Sequence, residues 1–164
     1  MTKQAQRPID FEIRCPVDTR VLPALRTMIV SLAMQMGFCE EECDKIEMAV
    51  DEACANVIRH AYKHLGVSPD LPEATRAVSE NEDYAFWLRL HIEDECLRIV
   101  VMDRGIGIKD QPRGHDSVED FAAKGGGGGL GVYIIRNFMD EVEYHCPPDS
   151  GTIVTMTKFL KANR

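Results

Sequence analysis

Gly125-Gly126-Gly127-Gly128-Gly129-Leu130-Gly131 runs without a break into Val132-Tyr133-Ile134-Ile135-Arg136. Successive backbone N–H groups free of side chains, feeding the positive end of a helix dipole, suit an anion. A run of glycines is equally the composition of a flexible linker. A linker, however, explains poorly why the run ends in Leu-Gly and opens an apolar helix, which periodicity places over Leu130 to Met139. Gly126, Gly128 and Gly131 formally satisfy the dinucleotide-binding pattern G-x-G-x-x-G, but residues 113–124 before them are polar and do not form the strand that pattern needs. No G-x-x-x-x-G-K-[ST] occurs in the chain, and neither does a kinase-type H-R-D or D-F-G. The Rossmann fold, the P-loop NTPases and the common protein-kinase fold are therefore excluded.

The sequence on either side supplies the other elements. Upstream, Ile9 to Arg14 alternates apolar and polar as a half-buried strand does. Leu22, Leu25, Met28, Ile29, Leu32, Ala33 and Met36 recur at helical spacing, with Pro23 in the first turn and Gly37 placed to end the run. Glu40 to Tyr62 reads as a second helix with an acidic start and a stripe of Ile46, Ala49, Val50, Ala53, Val57 and Ala61. Tyr84 to Ile92 and Leu97 to Met102 form a hairpin, and Val142 to Cys146 with Ile153 to Phe159 form a closing one. Hairpins separated by helices predict an α/β fold, a two-layer sandwich of a mixed, mainly antiparallel sheet with helices on one face. With 164 residues the chain is read as one domain, 1–164, interrupted by an insertion or loop at 65–83 and a long mobile connection at 104–129.

Composition narrows the function. Nineteen Lys and Arg against 27 Asp and Glu give a net charge of −8, whose field repels nucleic acid and anionic membranes. No stretch approaches the roughly 20 apolar residues that span a bilayer, and the first ten residues carry no apolar leader core, so the expected location is the cytoplasm. The six cysteines are accordingly read as reduced thiols.

Two further groups of residues carry potential chemistry. Glu52 and Asn56, four apart on the second helix, share a face beside the apolar stripe. Such a pair suits a proton acceptor and an oxygen ligand for a hard cation, and also suits an ordinary solvated face. Asp103-Arg104-Gly105-Ile106-Gly107-Ile108 follows a hydrophobic strand. It reads either as a strand-ending turn or as a carboxylate aimed at an amino group beside glycines that admit a flat ring.

Taken in order, these groups resemble the gyrase, histidine kinase and MutL superfamily of ATP-binding domains, and within it the anti-sigma factor serine/threonine protein kinases. Residues 47–56 with His60-Ala61-Tyr62 are similar to that family's N box. Asp103 to Ile108 resembles its first glycine box, and residues 127–131 with Ile134-Ile135-Arg136 resemble the second. Gly151-Thr152 is similar to its last nucleotide element. The resemblance implies ATP and Mg²⁺ as cofactors, Glu52 as catalytic base and Asn56 as the Mg²⁺ ligand. It further implies that Asp103 receives the adenine amino group, with Gly105, Gly107 and Thr152 near the base. Gly127, Gly129, Leu130 and Gly131 then wrap the phosphates at the end of a lid over 104–129. The implied activity is phosphorylation of a small anti-sigma antagonist protein by a homodimer that also binds a sigma factor. A switch that binds ATP and a protein partner without transferring phosphate is the alternative. Gly128 stands where many members of that family carry a basic residue, and the stretch 65–83 is longer than the family pattern expects.

Overall fold

The computed structural model describes residues 7–62, 84–106, 130–147 and 151–161. The expected insertion at 65–83, and residues 107–129 of the expected lid, lie outside them. Strand β1 spans Ile9–Pro16 and is followed by helices α1, Leu22–Met36, and α2, Glu40–Asn56. The hairpin β2, Ala85–Glu93, and β3, Cys96–Asp103, comes next, then α3, Leu130–Phe138, and the hairpin β4, Glu141–His145, and β5, Ile153–Phe159. Apart from the end of α2, these bounds match the periodicity of the sequence to within the usual fraying of element ends.

Local chemistry sets the helix ends. Pro23 sits in the first turn of α1, where a missing N–H costs nothing. At the other end Gly37 adopts φ 97°, its N–H bonding Met34 O at 3.0 Å and that of Phe38 bonding Ala33 O at 3.1 Å, a Schellman close. Glu40, Glu41 and Glu42 crowd the first turn of α2, where the helix dipole favours negative charge.

The five strands form one sheet in the order β1-β2-β3-β5-β4. The expected α/β sandwich forms, and its sheet is antiparallel at every neighbouring pair. The reason is topological: the α3 crossover lays β4 parallel to β3 but two places away, and β5 folds back between them. Leu88, Leu90, Ile99, Val101, Val154 and Met156 point from the sheet into a core closed by Ile29, Ala33, Ile46, Ala49 and Ala53 of the helices and by Ile135 of α3. Each large aliphatic side chain buried there contributes on the order of 1.5 to 3 kcal/mol. The six cysteines are free thiols, four of them buried. Among the described residues no helix is long and apolar enough to cross a membrane.

Two local expectations need correction. The alternation of β1 predicts a half-buried strand throughout, yet Ile9 is 57% and Phe11 36% exposed, and burial begins only at Ile13 and Cys15. Register places Ile9 and Phe11 opposite Ile92 and Leu90, on the face that the helices cover further along, so the helical layer stops short of this edge. Helical periodicity in α2 continues to Tyr62, but regular α-helix ends at Asn56, and Val57–Ala61 forms a π turn. The wider turn leaves Ala61 O to accept the N–H of Ile106 at 3.1 Å, a long-range bond that local propensity does not contain.

Lys158 lies on the core side of β5 with its side chain 4% exposed. Its ammonium lies 2.7 Å from Glu42 Oε2 and 3.4 Å from Asp140 Oδ1, and donates to Phe138 O at 2.8 Å. One cation thus ties the start of α2, the end of α3 and β5. Burial would push the Glu42 carboxyl up, but the hydrogen bond and charge of Lys158, with Lys161 and Lys45 behind it, hold it below its usual value.

Candidate functional site

The site forms where the C-terminal end of α2, the ends of β3 and β5, and the start of α3 meet. On α2 the small residues Ala49, Ala53 and Ala55, with Val50 and Cys54, are buried, which leaves Glu52 and Asn56 half-buried on the adjoining face. Glu52 Oε2 lies 3.5 Å from the Arg59 guanidinium. Its other oxygen packs on Gly131: a Cβ on that glycine would stand 2.1 Å from Glu52 Oε1. A side chain at Gly131, in the first turn of α3, would therefore displace the Glu52 carboxylate from its present position. Asn56 has no side-chain hydrogen bond among the described residues, which leaves its amide oxygen available to a ligand.

The second cluster surrounds Asp103, which is 2% exposed. Its Oδ1 accepts the Gly105 N–H at 2.7 Å, and its own N–H donates to Thr152 O at 3.0 Å, which clamps the end of β3 to the start of β5. Burial raises the carboxyl above its usual range, and the backbone N–H groups of Gly105 and Thr152 only partly offset that rise. A buried carboxylate ringed by backbone, with no ion pair among the described residues, suits a neutral donor such as a ring amino group. Gly105 has no room for a side chain, because its Cβ would stand 2.1 Å from Ala61 O.

The two clusters join through the π turn: Ala61 bonds Ile106, and the buried Tyr62 hydroxyl donates to Ala85 O at 2.7 Å and accepts the Arg104 N–H at 3.1 Å. Arg104 in turn lies 4.6 Å over the Trp87 ring. Of the expected site residues, Glu52 and Gly131 are in contact and Asp103, Gly105 and Thr152 are bonded together. Asn56 stands one turn beyond Glu52, and Leu130 begins α3 exposed. Gly107, Gly127 and Gly129 lie outside the described residues. Sequence reasoning gives no role to Tyr62 and no partner to Arg59. The signal for Tyr62 is a tyrosine at the end of an apolar stripe, whose hydroxyl must find a partner once buried.

These residues fit a magnesium nucleotide. Mg²⁺ commonly takes only one or two protein oxygens and otherwise phosphate and water, so a single amide such as Asn56 suffices. The buried Asp103 carboxylate meets the requirement of an adenine amino group.

The sequence profile of the histidine kinase-like ATPase domain matches residues 15–158. The serine-protein kinase RsbW of Bacillus licheniformis is 31% identical over 164 residues, spanning 97% of this chain and 91% of the relative. That of Bacillus subtilis is 27% identical over 158 residues, spanning 94% and 88%. The anti-sigma F factor of Caldanaerobacter subterraneus is 32% identical over 139 residues, spanning 85% of each. In solved structures, a Mycobacterium tuberculosis protein carrying RsbU and RsbW domains superposes with a TM-score of 0.59 at 14% identity, covering 95% of this chain and 34% of that one. That likeness bears on the fold.

Proposed function

The chain belongs to the histidine kinase-like ATPase domain family, and from this we propose that it is an ATP- and Mg²⁺-dependent serine/threonine protein kinase acting as an anti-sigma regulatory factor. Its acceptor is a serine or threonine hydroxyl on a small anti-sigma antagonist protein, and its second partner is a sigma factor. The observation that carries the reading is the carboxylate of Glu52, half-buried and seated against the glycine that opens α3. The names of the relatives, serine-protein kinase and anti-sigma factor, support the same assignment.

Glu52 accepts the proton of the acceptor hydroxyl. Asn56 ligates Mg²⁺ through its amide oxygen. Asp103 accepts the adenine amino group, with Gly105, Gly107 and Thr152 beside the ring. Gly127, Gly129, Leu130 and Gly131 present backbone N–H groups to the phosphates. ATP supplies the transferred phosphoryl group, and Mg²⁺ supplies neutralising charge. Residues 1–164 work as one domain, with 104–129 as the lid and 65–83 as an insertion at a partner surface. The functional unit is a homodimer, for which the exposed Ile9 and Phe11 on the edge strand β1 offer an apolar border. Affinity capture from native lysate on the immobilised chain, with and without ATP and Mg²⁺, tests the reading. A small protein whose retention depends on nucleotide, and which comes away bearing phosphoserine or phosphothreonine, is the expected result. Capture of no protein in either condition speaks against it.

Asp103→Asn is expected to weaken ATP binding by roughly 1.5 to 3 kcal/mol, the worth of a hydrogen bond to a charged acceptor. The fold should survive, since Asn retains an oxygen for the Gly105 N–H and removes a buried charge. Calorimetric titration with ATP measures the loss, and unchanged affinity in a folded variant removes Asp103 from the adenine site. The pH dependence has a definite sign. Because burial raises the Asp103 pKa, wild-type ATP affinity should fall as pH drops through that raised value. The folded state itself gains from protonation: the contribution of Asp103 to stability is full below its unfolded pKa and is lost as pH rises through the folded one.

A further inference from the structure

Tyr144 stands on β4 opposite Val154, and Val154 faces Val101 of β3, two residues before Asp103. The chain reverses after α3 at Met139 and Asp140, so β4 runs back from Glu141 opposite Thr157 to His145 opposite Ile153. That register returns Tyr144 to the end of the sheet that carries Asp103 and Thr152, beside the helix whose start packs on Glu52. Arg136 of α3 lies 5.9 Å from the centroid of the Tyr144 ring. The phenol oxygen is buried and has no hydrogen-bond partner among the described residues. Burial pushes the phenol up to about 12, with Arg136 pulling it down and the negative charge of Glu52 adding to the rise, so it remains a protonated donor at neutral pH. A buried hydroxyl without a partner is destabilising where it stands, and phenylalanine would fill the same space without that defect. Packing alone therefore does not account for the oxygen.

We propose that Tyr144 is a positioning residue for Glu52, its hydroxyl donating to the Glu52 carboxylate when that side chain leaves Arg59 to face the acceptor, so that the base is held in one orientation. The ion pair to Arg59, at 3.5 Å, is long and half-exposed, and can be given up at little cost. The inference rests on the kinase reading and adds to it a residue that the family motifs do not contain.

The test is Tyr144→Phe in the full chain. Its kcat for phosphate transfer from ATP to the captured acceptor should fall roughly ten- to hundredfold, the worth of one hydrogen bond to a charged group. The KM for ATP should not move, and Tm should hold or rise, because the substitution removes only an unpartnered oxygen. In a Glu52→Gln background the same change should have no further effect, since there is no base left to orient. A Tm lower than wild type shows that the hydroxyl serves the fold and overturns the proposal without need of an acceptor. So does an unchanged kcat. A loss that persists in full beside Glu52→Gln, or a matching rise in KM for ATP, assigns Tyr144 to the nucleotide and also overturns it. Absence of transfer by the wild type contradicts the kinase reading itself, whereas equal transfer by wild type and Tyr144→Phe sinks the positioning role alone.

Discussion

Replacing Glu52 with Gln is expected to slow phosphoryl transfer by about 10²- to 10⁴-fold, the usual worth of a positioned general base. Gln keeps the length and shape that Gly131 accommodates, so α3 should dock as before. What it lacks is a site for the hydroxyl proton at the moment the acceptor oxygen attacks. ATP binding should persist, because Asp103 and Asn56 are untouched. Asn56→Ala should behave differently, losing Mg²⁺-dependent affinity and transfer together. Single-turnover transfer and calorimetry on the same preparations separate the two patterns. Glu52→Gln transferring at the wild-type rate would leave only positioning and charge neutralisation to explain catalysis.

Lys158→Met is expected to destabilise the fold by about 3 kcal/mol, the lower end of the range for breaking a buried ion pair. It strips the shared cation from two carboxylates and leaves Glu42 only the longer contacts to Lys45 at 3.5 Å and Lys161 at 3.6 Å. Met matches the length of the lysine stem, so the loss reports charge and not a cavity. The site should suffer indirectly, since the cluster anchors the end of α3 whose start covers Glu52. Urea unfolding measures the effect, and a midpoint shift equivalent to less than about 1 kcal/mol would mean that the pair contributes no more than a surface one. Acid adds a signature. Glu42 is held below its usual pKa, so its contribution is full above the unfolded value and is lost as pH falls through the lowered folded value. Lys158→Met should flatten that acid limb.

Much of this architecture is legible in the amino-acid order alone. The spacing of Leu22, Leu25, Ile29 and Ala33, closed by Gly37, fixes α1, and the alternation through Phe86, Leu88 and Leu90 fixes the central hairpin. Periodicity reads which face turns inward but not how far the covering layer extends, and for that reason it overstates the burial of Ile9 and Phe11. The break after Asn56 is illegible because the bond that goes with it, from the Ile106 N–H to Ala61 O, joins residues far apart in sequence. Lys158 interrupts an otherwise apolar inward row, and only the arrival of Glu42 and Asp140 from two helix ends makes its burial tolerable. At the site, Glu52 and Asn56 look like any solvated helix face, and Asp103 to Gly107 like any turn. Their order along the chain, and not their individual chemistry, marks them. Tyr144 carries no signal at all, since an inward aromatic on a strand is the ordinary pattern of a core.

The most direct measurement is transfer of labelled γ-phosphate from ATP, with Mg²⁺, to the small protein captured by the chain, followed by identification of the phosphorylated amino acid. Label on serine or threonine of the acceptor with wild type, and its loss with Glu52→Gln at undiminished ATP affinity, is the predicted result. ATP bound with normal affinity by the wild type, the acceptor bound, and no phosphate on any serine or threonine would contradict it, and would make the chain a nucleotide-gated binding switch.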